Sequence, residues 1–211
     1  MREAMLSLHE ELRATSRLPV LAGARGGSAV RPLELATLLL AGVAASLLTN
    51  LVRLRLGIPG SSIVLTVFPI ALGFALVPRR WAGSVMAGGA LATSLALWLA
   101  GARLDGVGAQ TSLLLTGPLL DVAFGWGGGA GGWRLYAAFV AAGGASNAAA
   151  FLVRGAARLA GVGEHGGARS FALWWPRAIG SYAAAGIVAG LIGALAWFHF
   201  RAREAVARDG R

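Results

Sequence analysis

One carboxylate stands out among the residues that could carry chemistry, because it interrupts an apolar stretch. Asp121 lies in "TGPLLDVAFG", three residues after Pro118. A carboxylate near the centre of a bilayer costs about 2.5–3.5 kcal/mol on insertion scales, so it must pair, bind a proton or face water. The candidate partners within the chain are Arg177, Asn147 and the backbone freed by Pro118. The alternative is a ligand, and a carboxylate with nearby tryptophans suits a cationic or aromatic one.

Polar residues of other apolar segments fall in the outer half of the bilayer if both termini are cytoplasmic. They are Asn50, Gln110, Thr111, Thr116, Asn147, Arg177 and Tyr182, with Trp174 just before Arg177. Such a group predicts a cavity open to one side. The alternative is that hydroxyls bond their own helices while Arg177 and Trp174 lie among lipid headgroups. The predicted substrate-binding residues are Asp121, Asn147, Arg177, Thr116, Gln110, Trp174 and Tyr182.

Catalytic and metal-binding patterns are missing from the sequence. It contains no GxSxG, HExxH, DxD or phosphate-loop motif, and it has no cysteine. Its histidines, His9, His165 and His199, have no second ligand three or four residues away, as a helical metal site requires. We therefore predict a protein that is not an enzyme and holds neither cofactor nor metal.

The composition is typical of a membrane protein. Hydrophobic residues make up 56% of the 211 residues and charged residues 13%, against about 45–50% and 25% in soluble domains. The net charge is +10, but the arginines flank apolar runs, as the positive-inside rule produces, so we exclude nucleic acid as a partner. The predicted partner is the lipid bilayer, and the predicted location is a bacterial inner membrane crossed several times.

Six apolar segments must position these residues. They cover residues 33–52, 61–77, 81–100, 109–124, 135–153 and 171–200. A span needs about 20 residues, and the short second and fourth segments contain prolines. We predict an all-α bundle of six transmembrane helices over residues 33–200. A polar leader with a short amphipathic helix, residues 1–32, precedes it, and a basic cytoplasmic tail, residues 201–211, follows.

Two further patterns bear on orientation and packing. Twelve of the 19 basic residues would lie on the side of the termini, so the positive-inside rule predicts that both termini are cytoplasmic. Small residues recur at four-residue spacing, which allows helices to approach closely in lipid. The pairs are Ala41 and Ala45, Gly83 and Ala87, and Gly186 and Gly190.

This layout, together with three motifs, resembles the S components, or substrate-capture subunits, of energy-coupling factor (ECF) transporters. The motifs are "IPGSSI" from Ile58, "FPIALGFALVPRRWAG" from Phe68 and "GPLLDVAFG" from Gly117. The resemblance covers residues 33–200. It implies a helical bundle that binds a vitamin-like molecule in its outer half, beneath a lid formed by residues 53–62.

The resemblance also implies partners. A transmembrane coupling subunit would dock on small residues of the first helix, here Ala41 and Ala45, and two ATPases would power the assembly. One departure is that the predicted cavity has few strong hydrogen-bonding residues. The alternative function is therefore a non-catalytic structural or assembly subunit of a larger membrane complex.

Overall fold

A computed structural model describes residues 31–52, 60–79, 81–104, 106–127, 133–161 and 168–209. All regular structure in these ranges is helical, which confirms the predicted all-α class. The helices are α1 Pro32–Leu51, α2 Ile63–Leu76, α3 Ala82–Leu99, α4 Val107–Gly127, α5 Trp133–Leu159 and α6 Ala168–Asp209. The predicted amphipathic helix of the leader lies outside the described residues.

Five of these helices, all except α2, are long and apolar enough to cross a lipid bilayer. The second predicted span is wrong in length, because α2 has 14 residues. At a rise of 1.5 Å per residue it reaches about 21 Å, short of a hydrocarbon core about 30 Å thick.

Helices α4, α5 and α6 extend past the predicted segments, and α6 continues to Asp209 within the predicted tail. A hydropathy pattern predicts that a segment ends close to the first charged residue that follows its apolar run. Alanine, leucine and arginine nevertheless favour the helix and prolong it beyond that point.

The short α2 contacts every other helix of the bundle, although Phe68 and Leu76 on it are exposed. Around the bundle the helices neighbour one another in the order α1, α3, α4, α5, α6 and α2, and α2 also contacts each of the other five. Nine of its 14 residues are buried, including Pro69. Because most of α2 packs against other helices, much of its surface does not have to match the bilayer thickness.

The bundle has two ends of different character. We call the end where α1 begins the terminal end. There Glu34 pairs with Arg79 at 2.7 Å, and Tyr136 stacks on Phe198, close to where the apolar part of α6 ends. The half nearer this end holds the main apolar core, with Phe74, Met86, Phe124, Phe139 and Trp197. The half nearer the opposite end holds most of the buried polar side chains: Ser46, Thr49, Asn50, Thr66, Ser94, Ser112, Thr116, Ser146 and Asn147.

Small residues provide the closest helix contacts. Gly83 of α3 and Gly117 of α4 meet backbone to backbone, and a Cβ on either would overlap the carbonyl of the other. Gly190 of α6 lies against the backbone of Phe139 on α5 in the same way. The predicted close approach through the glycine pairs is therefore confirmed.

The first small-residue pair lies in a different place from the one predicted. Ala45 is 0% exposed, and Ala41 packs against the main core beside Gly73. Both residues therefore contact other helices of this chain in this structure. Ala45 therefore does not face a coupling subunit in this structure, because spacing alone does not show which face of α1 the bundle covers, whereas Ala41 is half-buried and its role as a docking residue stays a prediction.

Gly83→Ala should lower the thermal stability of the purified protein. Its new methyl group would collide with the Gly117 carbonyl, and overpacking of this kind costs about 1–3 kcal/mol. Gly88→Ala on the same helix is the matched control, since nothing lies within 4 Å of its added Cβ. We expect Gly88→Ala to unfold at the same or a slightly higher temperature. Equal melting temperatures for the two variants would contradict the close crossing of α3 and α4.

Candidate functional site

Asp121 binds the beginning of α3. Its Oδ1 accepts the Gly83 N–H at 2.9 Å, and its Oδ2 accepts the N–H and the hydroxyl of Ser84, each at 2.7 Å. Trp81, the residue before α3, supplies no side-chain cap and has a left-handed φ of 67°. The first N–H groups of a helix have no partner within it, so a carboxylate from α4 caps α3.

This placement corrects the expectation for Asp121. The residue lies six positions before α4 ends at Gly127, about 9 Å from that end. It is therefore near the terminal end of the bundle rather than at its middle. Its partners are neither Arg177, which is exposed on α6, nor Asn147. Counting residues along α4 could not show that another helix begins at the same level.

Asp121→Ala should destabilise the protein by about 2 kcal/mol, because the first turn of α3 loses a charged acceptor. Asp121→Asn keeps one oxygen and should cost less. Thr93→Ala is the control, since among the described residues the Thr93 hydroxyl bonds the Gly89 carbonyl of its own helix and no other helix; it should change stability by about 0.5 kcal/mol or less. Thermal unfolding followed by circular dichroism measures all three. If Asp121→Ala melts like Thr93→Ala, the carboxylate is not a cap.

Several predicted site residues join helices to each other. Gln110 Nε2 donates to Asn50 Oδ1 at 2.6 Å, which links α4 to α1. The hydroxyls of Thr116 and Ser146 lie 2.8 Å apart, which links α4 to α5. Thr111 bonds the Val107 carbonyl of its own helix. The expected open cavity is not present around Thr116, which is 0% exposed and packed against protein.

Asn147 joins three parts of the chain. Its Nδ2 donates to the Tyr182 carbonyl of α6 at 2.6 Å and to the Gly60 carbonyl at 3.4 Å. Gly60 is the described end of the α1–α2 connection, with a φ of +84°, and a Cβ there would lie 3.0 Å from both Asn147 and the Tyr182 ring. The end of the predicted lid thus rests on α5 and α6; residues 53–59 lie outside the described residues.

Aromatic rings and arginines surround this contact toward the opposite end. Phe151 stacks on Trp174 with ring centroids 5.3 Å apart, and Tyr182 meets Phe151 edge-on at 5.5 Å. Arg158 lies 4.8 Å above the Trp174 ring. Arg154 Nη1 donates to the Tyr182 hydroxyl at 3.4 Å. We call Asn147, Phe151, Arg154, Arg158, Trp174 and Tyr182 the α5–α6 cluster.

Three members of the cluster escaped the sequence analysis. Phe151, Arg154 and Arg158 follow Asn147 by four, seven and eleven residues, a spacing that places all four on one face of a helix. The predicted fifth segment ends at residue 153, before Arg154 and Arg158, whereas the helix continues to Leu159. Helical periodicity continued past that point would have found them. Of the predicted residues, Asn147, Trp174 and Tyr182 come together here, whereas Arg177 is exposed.

The chemistry of the cluster is that of hydrogen bonding and aromatic contact. It offers amide and guanidinium donors and aromatic faces, without a nucleophile and base pair. In the part of the chain that the structure describes, no three metal-binding side chains come together. The chain matches no family model, no curated protein and no solved structure in the three comparisons made.

Proposed function

We propose that the chain is a membrane-embedded substrate-capture subunit that binds a small vitamin-like molecule at the α5–α6 cluster, as the S components that it resembles do. The observation that carries this proposal is the position of Asn147. The side chain is 1% exposed, and it connects the α1–α2 connection with α6. A buried amide at such a junction suits a binding site. A ligand could accept the hydrogen bond that the amide now donates to the Gly60 carbonyl.

The two bonds of Asn147 differ in length, and the longer one goes to Gly60. The bond to the Tyr182 carbonyl, at 2.6 Å, is short, while the bond to the Gly60 carbonyl, at 3.4 Å, is beyond the usual range. Asn147 therefore holds α5 more tightly to α6 than to Gly60. Displacement of Gly60 would uncover the Tyr182 ring and the Asn147 amide together, as a lid would.

The predicted membrane orientation completes this proposal. The positive-inside bias turns the opposite end outward, so the α5–α6 cluster faces the side from which a nutrient arrives. The sequence has no phosphate loop, so a coupling subunit and ATPases would supply the energy. Because Ala45 is buried, a coupling subunit would contact a different surface from the predicted one.

Binding can be tested by screening vitamins and their precursors for thermal stabilisation of the purified protein. Asn147→Ala and Trp174→Ala should weaken binding by roughly tenfold or more, since each removes a contact worth about 1–2 kcal/mol. Asp121→Asn is the matched control and should bind like the wild type, because Asp121 caps α3 at the other end. Loss of binding in Asp121→Asn but not in Asn147→Ala would reverse the assignment of the site.

The alternative is a structural subunit of a larger membrane complex. It is favoured by the use of Gln110, Thr116 and Asn50 as links between helices, which leaves fewer groups for a ligand. The same screen separates the two functions. If no compound stabilises the protein, and it purifies in stoichiometric amounts with membrane partners that include no ATPase, the structural function is supported.

The orientation can be tested independently of any ligand, because the chain has no cysteine of its own. A single cysteine at Gly106, exposed at the opposite end, should react with a membrane-impermeant maleimide applied to intact cells. A single cysteine at Arg134, exposed at the terminal end, should react only after the membrane is opened. The reverse pattern would place the α5–α6 cluster on the cytoplasmic side.

A further inference from the structure

The described acidic side chains are confined to the terminal end of the bundle, whereas arginines lie at both ends, with Arg31, Arg79 and Arg134 at the terminal one. The acidic side chains that the structure describes are Glu34 and Asp121, and both lie toward the terminal end in hydrogen bonds. The arginines described toward the opposite end are Arg103, Arg154, Arg158 and Arg177. Asp121 is 13 residues from Gly108 along α4, about 20 Å by helical rise. Gly108 adjoins the cluster, since a Cβ there would lie 3.5 Å from Arg154 Cβ.

We propose that the α5–α6 cluster selects a small planar aromatic anion, a carboxylate or phosphate ester attached to a ring, with Arg154 as the residue that binds the anionic group. This inference rests on the proposed function and defines its substrate class. It reverses the charge expected from the sequence, where Asp121 favoured a cation.

The surroundings of Arg154 carry the argument for an anion. Arg154 is half-buried, so part of its side chain is removed from water, and a charged partner for its guanidinium would be favourable there. Its hydrogen bond among the described residues is a long one, 3.4 Å, to the neutral Tyr182 hydroxyl. A guanidinium has five donors in a fork that fits a carboxylate or phosphate in bidentate fashion. An anionic ligand would therefore supply a charged partner that the described residues around Arg154 do not give it.

The aromatic neighbours carry the argument for a ring. Phe151 and Trp174 are half-buried, and their rings stack on each other with centroids 5.3 Å apart. Phe151 precedes Arg154 by three residues on α5, a spacing that puts their Cβ atoms about 5–6 Å apart. A ring in contact with Phe151 or Trp174 would thus place an attached acidic group within reach of Arg154. Aromatic rings pair best in offset or edge-on contacts, which accommodate many planar ligands.

The charge preference can be measured with matched probes that differ only in their polar group. Indole-3-acetate, indole-3-acetamide and tryptamine form one set, and benzoate, benzamide and benzylamine form another. Isothermal titration of the detergent-purified full chain should show the carboxylates binding roughly tenfold or more tightly than the amides, and the amines most weakly. Arg154→Gln should remove the preference for carboxylate over amide. Arg154→Lys, which keeps the charge but not the fork, should retain part of it.

The control variant is Arg103→Gln, an exposed arginine at the same end and outside the cluster, which should keep the wild-type preference. If amides or amines bind and carboxylates do not, this inference fails while the proposed function stands. If none of the six probes and no compound in the vitamin screen binds, both fail.

A lipid headgroup carries the same anionic chemistry without the ring. Nanodiscs of phosphatidylcholine, with and without phosphatidylglycerol, distinguish the two sources. If phosphatidylglycerol stabilises the wild type but not Arg154→Gln, and no aryl carboxylate binds, Arg154 belongs to a lipid site and the proposal is overturned. If an aryl carboxylate binds in pure phosphatidylcholine and depends on Arg154, the soluble ligand is supported.

Discussion

The arrangement of the helices depends most on one contact, in which the first turn of α3 donates hydrogen bonds to the Asp121 carboxylate. Helix α3 starts directly after a tight connection, and Trp81 offers it no cap. In an apolar environment the free N–H groups would be costly, and the carboxylate of α4 satisfies two of them. The contact also requires the close crossing of Gly83 and Gly117. One charged group thus fixes the position of α3 against α4.

The same requirement for satisfied polar groups governs the opposite half of the bundle. Hydroxyls there pair between helices, as Ser46 does with Ser94 and Thr49 with Thr66. Each such bond contributes only about 0.6 kcal/mol on average in membrane proteins, but it fixes which helix faces match. Most polar residues of this half therefore act first as links. Asn147 and Arg154 have further contacts. Asn147 also bonds Gly60 of the α1–α2 connection, and Arg154 bonds the hydroxyl of Tyr182 in the α5–α6 cluster.

The division between an apolar half and a polar half follows from these contacts. Large side chains such as Phe74, Phe124 and Phe139 fill the terminal half, where ring centroids lie 5.0–5.2 Å apart. The polar half contains buried hydroxyl and amide side chains, the aromatic rings of the α5–α6 cluster and the end of the α1–α2 connection. The short α2 crosses the junction between them and contacts every other helix. A binding site at the edge of the polar half would therefore use parts of the bundle already linked by weak, exchangeable bonds.

The sequence by itself determined the helical class, the apolar segments and the concentration of polar residues in one half, because composition and hydropathy are properties of single segments. It also indicated Asn147, Trp174 and Tyr182 as neighbours, since similar depths bring residues of adjacent spans together. Only the tertiary structure decided the contacts of Asp121 and Ala45 and the position of Arg154. Each of these features depends on the neighbouring helices. They are the cap that α4 gives to α3, the face of α1 that the bundle covers, and the continuation of α5 past its apolar segment. No pattern within one segment records its neighbour.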